Sequence, residues 1–211
     1  MAWWKLFNIS KISIVKFVQY ILISVMPFIK TDFPGLLIFE PILFEDERGY
    51  FYESYNAHIF KSEGVDIVFV QDNQAQSSYG VIRGLHFQQA PKAQTKLLRV
   101  LSGRILDVAV DVRTGSPTFG KVYSIELSAE NKKQLLIPKG FAHGYSVLSE
   151  KAEVFYKCDH FYDKGSEAGI IYNDALLNID WQIPDEKAIV SDKDIKHPSF
   201  KDCKNNFVFE S

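Results

Sequence analysis

The sequence predicts a mostly β fold, an antiparallel jelly-roll barrel with a few short helices. Three observations point there. From residue 36 onward the chain reads as short apolar runs cut by turn residues, at the roughly 8–12-residue spacing of sandwich and barrel strands. One run alternates strictly: Leu106, Val108, Val110 and Val112 share one face, and Asp107, Ala109 and Asp111 the other. Aromatics are abundant, with 17 Phe and 10 Tyr, side chains that suit a pleated, half-buried surface.

In chain order, "GLLIFEPILF" (residues 35–44) is an apolar run followed by the polar, turn-bearing "EDERGYFYESY". "NAHIFKSEG" (56–64) is the first helical candidate. "VDIVFVQDN" (65–73) ends in polar residues, and "GVIRGLHFQ" (80–88) reads as strand. "KLLRVLSGRILDVAVDV" (96–112) reads as a hairpin turning at Ser102-Gly103. "GKVYSIELS", "QLLIPKGFAHGYSVLS" and "AEVFYKCDHFY" supply further strands, separated by "SAENKK" and "SEK". A short helical piece is expected near "SDKD" (191–194). No internal repeat and no low-complexity segment is visible.

The 211 residues, 46% hydrophobic, are enough for one domain with a real core. A net charge of -2 gives no electrostatic footprint for nucleic acid, so no nucleic-acid partner is expected. The two cysteines, Cys158 and Cys203, form no CxxC and read as reduced thiols of a cytoplasmic protein. Residues 1–25 differ from the rest, with Lys5, Lys11 and Lys16 and no acid. They lack the small-residue cleavage site of a secretory signal, and the charge-free run from Phe17 to Ile29 is short of the about 20 residues of a membrane span. The favoured reading is an extension upstream of a natural start at Met26, with residues 26–211 as a single domain. A weak membrane-surface contact through residues 1–25 is the second choice.

The candidates for chemistry are few. Metal sites in β-barrels favour ligands two apart on one strand, such as HxH. His86 is followed by Phe87 and Gln88, and His143 stands alone in "GFAHGY", so no metal is expected. No GxSxG or P-loop is present, which leaves acid–base work. His86 is the natural base, because imidazole titrates near operating pH. Spacing alone leaves both His86 and Tyr156 open to a structural role. Strict alternation places Arg83 on the face opposite His86, exposed, and pattern alone favours this, although a bulge at Gly84 would turn both to one side.

Taken together, "FEDERGYFYESYN", "FVQDNQAQS", "GVIRGLHFQ", "KLLRVLSGRILDVAVDVRTGSPTFGK", "LSAENKKQLLIPKGFAHGYSVLSE", "AEVFYK" and "SDKD" resemble, in order, the dTDP-4-dehydrorhamnose 3,5-epimerase family. The resemblance runs from about residue 34 to 198. It implies a cupin-type jelly roll that works without metal or cofactor, as a homodimer, on a dTDP-sugar. It implies inversion at C3 and C5 of dTDP-4-dehydro-6-deoxy-D-glucose, giving dTDP-4-dehydro-L-rhamnose. By motif, His86 matches the general base, Tyr156 the general acid, Asp194 the acid that holds the base, and Lys96 the lysine near the keto group. Arg48, Glu53, Gln71, Asn73, Arg83, His143, Glu167 and Lys193 match binding positions. The chain has "QDNQA" where the family usually has "QDNHS", and "QTK" for "QGK"; neither change removes a catalytic residue type. Relatives that invert one centre, or that isomerise other dTDP-4-keto-deoxysugars, share most of these motifs. A non-catalytic sugar-nucleotide-binding cupin is the remaining alternative.

Overall fold

The computed structural model describes residues 28–210. Residues 1–25, and with them the reading of Met26 as a start, lie outside the described residues. One sheet runs, edge to edge, β1 (Phe28–Lys30), β2 (Leu37–Phe39), β10 (Gln134–Ile137), β7 (Lys96–Ser102), β12 (Lys151–Cys158) and β5 (Gln71–Ser78). The other runs β13 (Glu167–Gly169), β6 (Val81–Gln88), β11 (Phe141–Val147), β8 (Arg104–Asp111) and β9 (Val122–Ser128), with β14 (Ile189–Val190) added parallel to β6. All other pairings within the two sheets are antiparallel. A separate hairpin, β3 (Phe44–Asp46) with β4 (Gly49–Phe51), stands apart from both.

Both helical expectations hold. Helix α1 (Ala57–Ser62) starts where Asn56 Oδ1 accepts the His58 N–H at 3.0 Å. Helix α2 (Asp192–Ile195) starts where Ser191 Oγ accepts the Asp194 N–H at 3.1 Å. Each cap satisfies a backbone donor that the first turn leaves open.

Alternation sorts the side chains into layers. Leu98 and Val100 of β7, Leu135 and Ile137 of β10, and Val154 of β12 face Ile105 and Ala109 of β8 and Val147 of β11 across the space between the sheets. Burying each of the larger of these side chains contributes about 1.5–3 kcal/mol. The alternate residues of β8, namely Leu106, Val108 and Val110, face outward, where Ile170, Leu177, Trp181 and Phe207 of the C-terminal segment cover them. That cover explains why Ile105–Asp111 are all buried although the strand alternates. Helix α1 covers the outer face of the first sheet through Phe60, packed on Phe39, Leu97 and Leu136.

The expected hairpin at Ser102-Gly103 is not one. β7 pairs with β10 and β12, whereas β8 pairs with β9 and β11, so the chain turns a corner from one sheet to the other. The two apolar arms meet face to face through their side chains instead of edge to edge through their backbones. Gly103 makes the corner possible: its φ is +76°, and a Cβ there would run into the Lys151 carbonyl. Among the described residues, no helix is long and apolar enough to cross a membrane.

Candidate active site

The strand periodicity of 2 decides which polar side chains enter the barrel. On β12 the inward set is Ala152, Val154, Tyr156 and Cys158, and on β7 it includes Lys96 with Leu98 and Val100. Cross-strand registers place Asn73 beside Tyr156 and Gln71 beside Cys158. On β11 His143 shares the inward face with Phe141, Tyr145 and Val147, and its partner on β6 is His86.

Arg83 is exposed, as the pattern alone favours, but a bulge puts it on the same side as His86. Tyr145 opposes Arg83 and His143 opposes His86, so three steps on β6 span two on β11. Ile82, Leu85 and Phe87 point outward, which turns Arg83 and His86 both inward. Gly84 permits it with a φ of +126°; a Cβ there would come within 2.5 Å of the Gly144 Cα and 2.8 Å of the His143 carbonyl oxygen. Arg83 Nε then donates to Ser77 Oγ at 3.1 Å.

The result is a cavity of about 350 Å³ lined by Gln71, Asn73, His86, Gln94, Lys96, Tyr156, Tyr162 and Glu167, among others. His86 stands on one sheet and Lys96 and Tyr156 on the other, so the base candidate and the acid candidate occupy opposite walls. A larger, shallow hollow near Asp66, Lys139 and Asp159 contains none of these groups.

Asp194 sits behind His86. Its Oδ1 is 2.7 Å from His86 Nε2, and its Oδ2 accepts the Gly84 N–H at 3.2 Å. Burial works to raise this carboxyl, but the His86 hydrogen bond and charge, the Gly84 N–H and Ser191 together hold it below the usual carboxylate range. Asp194 is therefore an acceptor, His86 Nε2 carries the proton, and Nδ1 is the free basic nitrogen. His86, Asp194 and His197 bring three donor atoms within 4.8 Å of one another. Within that group the 2.7 Å contact joins His86 to Asp194, while His197 Nε2 makes no hydrogen bond.

Opposite, burial pushes Tyr156 up to about 12, with Cys158 and Tyr145 adding to it and Arg83 opposing. Tyr156 therefore stays protonated at neutral pH and is available as a donor. Burial lowers Lys96, while Cys158, Asp107 and Glu167 work to keep its charge. Beneath the cavity His143 Nε2 lies 3.1 and 3.0 Å from the two oxygens of Asp107. Burial lowers His143, Asp107 resists, and Lys96 and His86 add to the lowering. Glu167 pairs with Lys193 of α2 and accepts the Tyr162 hydroxyl at 2.9 Å.

The structure thus gathers His86, Asp194, Tyr156, Lys96, Gln71, Asn73, Arg83, His143, Glu167 and Lys193 in and around one cavity. It does not bring Arg48 or Glu53 there. Arg48 extends from the β3–β4 turn, 86% exposed, and pairs with Asp46 at 2.5 Å. Glu53 is exposed and accepts from Asn56 Nδ2 at 3.2 Å.

Sequence reasoning missed Asp107, although an acid on the inward face of an apolar strand was the signal for it. It also missed Tyr162, and here no local pattern helps. The segment after β12 is tied over the cavity by glutamines: Gln71 accepts the Tyr162 N–H at 2.9 Å, Gln88 accepts the Asp163 N–H at 2.7 Å, and Gln94 donates to the His160 carbonyl at 2.7 Å.

Comparisons with known proteins identify the family. The family model for dTDP-4-dehydrorhamnose 3,5-epimerase matches residues 30–202. The chain is 52% identical over 179 residues to the dTDP-4-dehydrorhamnose 3,5-epimerase of Shigella flexneri, covering 84% of this chain and 98% of that one. The crystal structure of the Elizabethkingia anophelis NUHP1 enzyme of the same name superposes with a TM-score of 0.81 at 55% identity, covering 83% of this chain and 96% of that one. The dTDP-6-deoxy-D-glucose-3,5-epimerase of Legionella pneumophila Philadelphia 1, solved with dTDP-4-keto-L-rhamnose, gives a TM-score of 0.79 at 46% identity, over 82% and 92% of the two chains. With the jelly roll shared and the matches spread over nearly the whole described chain, this protein belongs to the dTDP-4-dehydrorhamnose 3,5-epimerase family of isomerases.

Proposed function

We propose that this epimerase inverts C3 and C5 of dTDP-4-dehydro-6-deoxy-D-glucose to give dTDP-4-dehydro-L-rhamnose, using His86 as base and Tyr156 as acid. The observation that carries it is the pair of opposed walls, with an Asp194-held imidazole on one and a protonated phenol on the other.

The C4 ketone acidifies the protons at C3 and C5. His86 Nδ1 takes a proton from one face, and its new charge is shared with Asp194 through Nε2. The electron pair moves onto the C4 oxygen as an enolate. Lys96, a cation in a poorly solvated wall, stabilises that charge more than it would in water. Tyr156 then delivers its proton to the opposite face of the same carbon, which inverts it. Exchange with solvent restores both groups before the second centre reacts. No electrons are gained or lost, so no cofactor is called for. Arg83 serves the diphosphate, where a planar fork suits phosphate oxygens. Gln71, Asn73, His143, Glu167 and Lys193 hold the sugar and nucleotide.

The working unit in this reading is a homodimer in the cytoplasm. Arg48 and Glu53 match binding positions yet lie away from their own cavity, and the hairpin between them exposes Tyr50 and Phe51 at 57% and 66%. A second copy taking that hairpin would cover the apolar surface and return Arg48 and Glu53 to a cavity. The test is turnover coupled to a reductase that traps the product, with His86→Asn beside wild type. Wild-type turnover with a folded, inactive variant supports the reading; an active variant removes His86 as the base.

A further inference from the structure

His197 stands behind the base and does not line the cavity. It follows α2, and its side chain is only 13% exposed. Its ring meets the His86 ring edge-on, with centroids 5.4 Å apart at 70°. Its Nε2 is 3.9 Å from Asp194 Oδ1, the same oxygen that His86 holds. That nitrogen is buried and has no hydrogen-bond partner. The Nε2–Cε1 edge of the ring also rests on Gly169, where a Cβ would come within 2.6 Å of Nε2 and 2.7 Å of Cε1. A side chain at position 169 would therefore displace the ring. A buried polar atom left unpartnered is costly, and an apolar side chain of similar size would avoid that cost.

We propose that His197 is a positioning residue for the proton-abstracting pair: while neutral it braces the His86 ring and leaves Asp194 to His86 alone, and once protonated it competes for Asp194. The inference rests on the reading of His86 as base. A neutral His197 fixes the plane of His86 by packing, so that Nδ1 keeps one direction. A protonated Nε2–H needs only about 1 Å of movement to make a charge-assisted hydrogen bond to Asp194 Oδ1. It would also set a second positive charge beside an imidazole that must become positive to work.

The charged and titratable groups around His197 come from three elements: His86 from β6, Asp194 and Lys193 from α2, and Glu167 from β13. Burial lowers His197 first, His86 and Lys193 add to this, and Asp194 and Glu167 oppose it. The ring is neutral at neutral pH, and the switch acts on the acid side of the ordinary histidine range, about 6.5.

The test uses the full chain with two substitutions. His197→Gln keeps a neutral polar group near the Nε2 position but cannot titrate. It should retain turnover at pH 8 within about threefold and lose rate in acid with one proton where wild type loses it with two. His197→Leu should lower kcat by about tenfold or more with KM within about twofold, because the brace is lost while substrate contacts stay. Independently of turnover, ¹³C-labelled histidine spectra should show the His86 ring responding to two titrations in wild type and one in His197→Gln. Wild-type kcat in the Leu variant, or the same one-proton acid limb and a single His86 titration in wild type and Gln variant alike, would overturn the proposal. If wild type fails to turn over the substrate, the functional reading falls, and the histidine titrations still decide the role of His197.

Discussion

Replacing Asp194 by Asn tests the electrostatic centre of the site while nearly preserving its shape. Asp194 Oδ1 receives the His86 Nε2 proton at 2.7 Å and Oδ2 receives the Gly84 N–H at 3.2 Å. An amide cannot serve both donors. If its oxygen faces His86, its NH2 meets the Gly84 N–H, donor against donor. If it flips, the NH2 faces His86 Nε2, which must then accept, and the imidazole proton moves to Nδ1. That nitrogen is the one needed to take the substrate proton. Losing a charged hydrogen-bond acceptor costs about 1.5–3 kcal/mol, or about 10- to 150-fold in rate. The wrong tautomer adds to this, and a triad aspartate-to-asparagine change elsewhere costs about 10⁴ in kcat. The expected loss in kcat for Asp194→Asn is therefore about 10²–10⁴-fold, with KM nearly unchanged because Asp194 does not line the cavity. Coupled turnover gives the rate, ¹⁵N spectra of the imidazole give the tautomer, and thermal unfolding shows that the fold persists. A folded variant with kcat within threefold of wild type and Nε2 still protonated would refute the reasoning.

Two further outcomes are expected. Tyr156→Phe removes a hydroxyl that burial keeps protonated, so reprotonation should suffer more than binding; a large rise in KM at unchanged kcat would make Tyr156 a binding group only. Asp111→Ala should destabilise the fold by about 3–5 kcal/mol, since it strands the Arg113 charge and the hydroxyls of Ser116 and Thr118. Burial works to raise Asp111, but those hydrogen bonds hold it below the usual range. Its contribution is therefore fully present above the ordinary carboxylate range and is lost as the pH falls through the lowered folded value, so denaturant curves should show a smaller gap between the two proteins at pH 3 than at pH 7.

Much of the fold was legible because strands advertise themselves by period. The alternation of residues 104–112 correctly separated Leu106, Val108 and Val110 from Asp107, Ala109 and Asp111. Pattern could not show that both faces would be buried, because the cover on the outer face comes from Leu177, Trp181 and Phe207, far along the chain. Nor could it separate a hairpin from a corner at Gly103, since both place two apolar arms around one glycine. His86 was legible as a base from imidazole chemistry, the roles of Tyr156, Lys96 and Asp194 came from motif resemblance, and the structure supplies their common location. For Arg83 pattern alone favoured an exposed side chain opposite His86; the residue is exposed, but the bulge at Gly84, which parity could not reveal, turns it to the His86 side. His197 carried no signal, because its contacts with His86 and Gly169 come from the packing of α2 onto β6 and β13.

The central claim is proton exchange at both carbons beside the ketone, by groups on opposite walls. The most direct measurement is NMR of the product formed in D₂O from dTDP-4-dehydro-6-deoxy-D-glucose, trapped by a reductase. Deuterium at both C3 and C5, in a rhamno-configured product, is the result predicted. Label at C3 alone would assign the protein to single-centre chemistry, and no label at either carbon in a folded sample would contradict the account.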